Sequence, residues 1–120
     1  MGAVIEVDPD RFDRLVGDAL DGIPEELARL MDNVAVVVED GIPHGGLLGR
    51  YQGVPLTERN AWYGTGSLTM PDRITIFRLP ICALCTTEAE VVEQVTITVV
   101  HEVAHHFGID DERLGELGWA

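Results

Sequence analysis

Three of the four histidines of this chain fall within six residues, in His101-Glu102-Val103-Ala104-His105-His106. On a helix, positions i and i+4 stand one turn apart on the same face. His101 and His105 can therefore aim their rings at one small cation. Zinc takes imidazole nitrogens at ~2.0–2.1 Å, and this spacing supplies two without straining the backbone. Glu102 follows the first of them, so it points beside the cation. There it can take a proton from a water that the cation holds. Further on stand Gly108 and Asp111. Glycine tolerates the left-handed backbone that ends a helix sharply, so the chain can turn back and offer Asp111 as a third ligand. A fourth position is left to water, which separates a catalytic zinc site from a closed structural one. Iron or manganese would accept the same donors. The plain alternative is a helix that carries surface histidines.

The elements that must position these residues can be read around them. Thr87 is an N-cap and Glu90, three residues on, closes a capping box, so a helix runs from Glu88 to about Phe107. Within it Val95-Thr96-Ile97-Thr98-Val99-Val100 is β-branched throughout and reads locally as a strand. The metal spacing overrules that, since a strand at ~3.3 Å per residue would part His101 from His105 by ~13 Å. Glu90, Gln94 and Thr98 share the face of His101 and His105, either lining the site or forming a polar helix face. Asp110 to Leu117 reads as a short closing helix, packed down by Leu114, Leu117 and Trp119.

Upstream, Asp8-Pro9 starts a helix whose apolar face is Phe12, Leu15, Val16 and Ala19, and Gly22 ends it. Pro24-Glu25-Glu26 starts a second, with Leu27, Leu30 and Met31 as its stripe. The continuous run Val34-Ala35-Val36-Val37-Val38 reads as a buried central strand, turned by Asp40-Gly41. Residues 41–53 hold five glycines and form a long loop. It matches no phosphate-binding glycine pattern. His44 in this loop faces either the metal pocket or solvent. Val54-Pro55-Leu56-Thr57 reads as a short extended edge. Asn60 to Ser67, with Trp62, Tyr63, Gly64 and Gly66, is turn-rich. Arg73 to Leu79 alternates polar and apolar as a half-buried strand, ended by Pro80.

At 120 residues, 46% of them apolar, the chain is read as one domain, residues 1–120, with a real core. Twenty-one acids against eight bases give a net charge of −13, which argues against nucleic acid and against an anionic membrane surface as partners. The N-terminus lacks the basic and apolar regions of a signal peptide, Glu6 stands where myristoylation after Gly2 wants Ser or Thr, and no run spans a membrane. A cytoplasmic protein is the expectation. Cys82 and Cys85 form a single C-x-x-C with no second pair to complete a four-cysteine site. Buried thiols in a reducing compartment are favoured over a redox pair.

The run from His101 to Leu114 resembles that of the minimal zincin-like metallopeptidases, a family of small bacterial proteins. The stretch from Leu48-Gly49 to Arg59 and the stretch from Pro71 to Phe77 agree with the likeness, which covers about Pro24 to Leu117. The resemblance implies an α+β, zincin-like fold, a small mixed sheet of three to four strands on a long C-terminal metal-binding helix, to which the residue pattern adds the two N-terminal helices. It implies one zinc ion on His101, His105 and Asp111, with Glu102 as catalytic base. The motif is also similar to the metzincin pattern, with aspartate in place of the third histidine. A methionine turn is missing, since the nine residues after Asp111 include no methionine. Met70 is the one candidate substitute.

Two functions follow. One is a zinc-dependent hydrolase acting on a peptide or protein substrate. The strand 73–79 would hold an extended peptide, and His44, Tyr51 and Tyr63 are candidates to stabilise an oxyanion. The other is a metal-stabilised binding module without turnover, for which the small size speaks.

Overall fold

The computed structural model describes residues 5–61, 63 and 70–116. Trp62, Gly64, Gly66, Leu117 and Trp119 lie outside the described residues. In order, the elements are α1 (Pro9–Asp21), α2 (Glu25–Ala28), β1 (Val34–Glu39), β2 (Gly49–Gln52), a 3-10 turn (Leu56–Glu58), β3 (Asp72–Phe77), α3 (Arg78–Ala83), α4 (Glu88–His106) and α5 (Asp111–Glu116). The strands form a mixed sheet in the order β1-β3-β2, with β3 parallel to β1 and antiparallel to β2. This is an α+β fold, with the long helix α4 packed on the sheet on one side and on α1 on the other.

The helix α4 is the spine. Thr87 caps it, its side chain accepting from the Glu90 N–H at 3.1 Å, while the Glu90 carboxylate accepts from Thr86. Val91, Val95, Val99 and Val103 recur every four residues and are buried. Six consecutive β-branched residues cost a helix about 3 kcal/mol relative to alanine. Burying each valine returns about 1.5–3 kcal/mol, so packing wins over propensity. Phe12, Leu15, Val16 and Ala19 of α1 are buried in the same core, as are Ile74 and Ile76 of β3. The N-cap of α1 is Asp8, which accepts from the Arg11 N–H at 2.8 Å.

Several sequence expectations shift in register or place. The Val34–Val38 run lies at the edge of the sheet, half-buried, and β3 is the central strand with Ile74, Thr75 and Ile76 wholly buried. A run of valines suits a strand with one flank unpaired as well as one paired twice, so the run alone does not fix its place. Pro80 does not end a strand by breaking it. It sits in the first turn of α3, where its missing N–H costs no hydrogen bond. The second helix is one turn long, and its Leu27 and the following Leu30 stay exposed because the chain leaves for β1 before a packed face can form. Val54–Thr57 runs into the 3-10 turn rather than an extended edge. The strand β2 arises inside the glycine-rich stretch, with Gly49 opposite Ile76 and Tyr51 opposite Ile74.

Candidate metal centre

The last two turns of α4 carry His101, Glu102 and His105. The two rings stand 4.7 Å apart, centroid to centroid, and nearly perpendicular. One ring nitrogen of each, with a Glu102 carboxylate oxygen, fits within 4.8 Å. The helix then ends as its glycine suggests. Gly108 has φ +88°, its N–H bonds the His105 carbonyl at 2.9 Å, and the Ile109 N–H reaches back to Ala104 at 2.9 Å. This paired closure turns the chain sharply. Asp110 then accepts from the Arg113 N–H at 2.9 Å and starts α5, with Asp111 at its head.

The turn brings Asp111 back. Its Oδ1 lies 3.0 Å from His101 Nε2 and 2.9 Å from His105 Nε2. Donors on a tetrahedral ion at ~2.0–2.1 Å lie ~3.3 Å from one another. These two separations are thus close to the edge lengths that a zinc-sized ion requires, and two imidazoles with a carboxylate suit its chemistry. The hydrogen bond with His105, with the charge of the histidines, holds the Asp111 carboxyl below its ordinary range. Glu102 is buried, whereas His101 and His105 are half-buried. Its Oε1 lies 3.1 Å from His105 Nδ1. A proton on Nδ1 would leave the Nε2 lone pair of His105 free for a cation.

The family model of the zincin-like metallopeptidases matches residues 31–119. The chain belongs to that family. Among solved structures, a conserved hypothetical protein from Thermo thermophilus is similar, with 24% identity and a TM-score of 0.57 over 84% of this chain and 94% of that one. At this identity the likeness speaks for the fold alone. No curated protein sequence matches the chain. The family implies zinc, for which the His101–Glu102–His105 group offers a place.

Beneath the site this zincin-like chain holds a buried polar knot that the sequence reading did not single out. Asp72, 1% exposed, sits at its centre. Its Oδ2 accepts from the Tyr51 hydroxyl, from Arg59 at 3.0 Å and from His106 Nδ1 at 3.0 Å, and its Oδ1 accepts from the Val54 N–H at 3.0 Å. The Asp32 N–H donates to His106 Nε2 at 3.2 Å, so the ring proton is on Nδ1. Burial alone would push the Asp72 carboxyl up, but these hydrogen bonds outweigh it and hold the group low. The third clustered histidine is therefore a wholly buried anchor tying α4 to β3. One signal was available. Asp72 shares strand parity with Ile74 and Ile76, so it faces the core, and a carboxylate there demands partners.

The remaining candidates fall elsewhere. Glu90 is spent on the helix cap, and Thr98 donates to the Gln94 carbonyl at 2.8 Å. Tyr51 has its ring 6.4 Å from that of His105, but its hydroxyl proton goes to Asp72. Burial, then that hydrogen bond, push its phenol up. Tyr63 accepts from Asn33 at 2.8 Å and stacks beneath Arg59, 4.2 Å from ring centroid to guanidinium. His44 is exposed and lines a different depression, beside Glu6, Asp8 and Arg78. Met70 is 79% exposed, which leaves it no packing role under the histidines. Cys82 and Cys85 are free and buried, and burial pushes both thiols up. Among the described residues no helix is long and apolar enough to cross a membrane.

Proposed function

We propose that this chain is a zinc-dependent hydrolase of peptide bonds, with His101, His105 and Asp111 holding the ion and Glu102 as general base. The observation that carries the reading is Asp111 Oδ1 within hydrogen-bond reach of both Nε2 atoms. Ordinary surface histidines would not converge on one carboxylate oxygen brought back by a helix-ending turn. Bound there, the ion supplies Lewis acidity, polarising a carbonyl and making water a better nucleophile near neutral pH. Glu102 takes the proton of the attacking water and passes it to the leaving amine. Its burial withholds bulk water from the carboxylate, and its contact with His105 fixes its direction. Asp111 supplies the negative charge that balances the ion, and the ring of His105 is held at Nδ1 by Glu102.

The extended peptide is assigned to β2. The strand expected from the sequence to hold it, β3, is paired on both flanks and has no free edge to offer. Among the described residues β2 has its outer edge unpaired, and its Gly49 and Tyr51 face the helix beside Glu102 and His105. Backbone pairing along that edge would lay a scissile bond across the donors.

The test is a mixed peptide library with zinc-loaded protein and the Glu102→Gln variant. Wild type cleaves, and Glu102→Gln keeps zinc while turnover falls by about 10²–10⁴-fold. Unchanged turnover in the variant removes Glu102 from the mechanism. No cleavage of any peptide by wild type, with zinc still raising the melting temperature, leaves a metal-stabilised binding module.

A further inference from the structure

Gly49 opens β2 and is buried on the face that meets α4. Its backbone is not left-handed, so conformation alone does not call for glycine there. Room does. A Cβ at this position would lie 2.8 Å from Thr98 Cγ2, 3.1 Å from Glu102 Cγ and 3.2 Å from Glu102 Oε2. On its other side Glu102 is fixed by His105, whose Nδ1 lies 3.1 Å from Oε1. The carboxylate is clamped between an imidazole and a bare Cα. We propose that Gly49 is a positioning residue for Glu102, and that the space left by its missing side chain sets the direction of the carboxylate. This rests on the reading of Glu102 as the general base.

The two neighbours respond differently to an added methyl. Thr98 is β-branched on a helix, and its hydroxyl is tied to the Gln94 carbonyl at 2.8 Å, so its Cγ2 is held in place. Glu102 has a longer, more flexible chain, and its carboxylate is the part that gives. Gly49→Ala therefore has two separable effects. Pressure on Thr98 forces β2 away from α4 and lowers stability. Displacement of Glu102 breaks its contact with His105 and lowers turnover. Thr98→Ser removes the offending methyl and keeps the hydroxyl, so it relieves the first effect only.

The experiment compares zinc-loaded wild type, Gly49→Ala, Thr98→Ser and the double variant. It reads melting temperature, turnover on the peptide library, and the NMR resonance of the His105 Nδ1–H. Gly49→Ala should melt lower, lose about 10- to 100-fold in kcat with KM little changed, and shift the resonance. The double variant should regain the melting temperature and neither of the other two. It also carries the test if Gly49→Ala alone does not fold. A double variant that recovers kcat and resonance with its stability would overturn the proposal, leaving Gly49 as a spacer only. If the wild-type protein cleaves nothing, the hydrolase reading fails by itself and the resonance decides. A shifted signal in the double variant then supports the positioning role, and an unshifted one refutes it.

Discussion

Asp72→Asn keeps the shape of the buried knot and removes its charge. The carboxylate accepts four hydrogen bonds, three of them at Oδ2. An asparagine with its oxygen at the Oδ2 position sets its NH₂ against the Val54 N–H, donor to donor. It also leaves the Arg59 guanidinium, 9% exposed, with the exposed Asp32 carboxylate as its one remaining counter-charge among the described residues. A hydrogen bond to a charged group contributes about 1.5–3 kcal/mol, and an unpaired buried donor costs about 1–3 kcal/mol. Breaking a buried ion pair from one side costs about 3–5 kcal/mol, and because these terms overlap we take that range for the whole change. Against a total stability of about 5–15 kcal/mol this is a large share. Urea unfolding followed by circular dichroism should show a midpoint lower by on the order of 2 M at unchanged slope. The pH dependence has a definite sign. The folded-state value of Asp72 is depressed, so its contribution is whole above the unfolded carboxyl value of ~3.9 and is lost as pH falls through the lower folded value. The gap between wild type and variant should thus be flat near neutrality and close only in acid. A gap under about 1 kcal/mol at neutral pH refutes the reasoning, because then the knot contributes little net stability.

Gly108→Ala forces a left-handed φ of +88° on a residue with a Cβ, and that Cβ would fall 2.2 Å from Thr57 Oγ1. A loss of about 2 kcal/mol or more in thermal melts is expected, with weaker zinc binding as Asp111 is displaced. Zinc should raise the melting temperature in proportion to the logarithm of its concentration. Asp111→Asn should weaken that response by at least the ~10–100-fold that loss of an outer partner costs, read by calorimetric titration. An unaltered affinity would take Asp111 out of the ligand set. Cys82 and Cys85 should resist a thiol reagent in the folded protein and react fully once it is unfolded, and quick labelling of either would contradict their burial.

What the sequence disclosed and what it hid divide along a physical line. Local features were legible: the Asp8 and Thr87 caps, the apolar face of α1, the glycine exit at Gly108. Each is decided by neighbours a few positions away. The His101–His105 pair was legible for the same reason, since one helical turn fixes its geometry, and its spacing outvoted six β-branched residues. Placement in the sheet was not. The valine run of β1, read as the central strand, stands at the edge, and the alternating run of β3, read only as half-buried, takes the centre, because strand order is set by pairing across the chain. Least visible was the knot around Asp72, whose partners come from two distant stretches of chain, Tyr51, Val54 and Arg59 from one and His106 from the other. Of the three clustered histidines, helical spacing singles out two, and the third, His106, turns inward and serves the core.

The edge position of β1 has a consequence for handling the protein. Val34, Ala35, Val36, Val37 and Val38 carry neither charge nor proline, and among the described residues nothing pairs their outer flank. Such a segment is a template for intermolecular cross-β stacking. It is paired through Asp72 itself, which stands opposite Val34 in the ladder. A change that loosens Asp72 would therefore release the start of β1 together with the helix, and precipitation would be expected to accompany loss of fold.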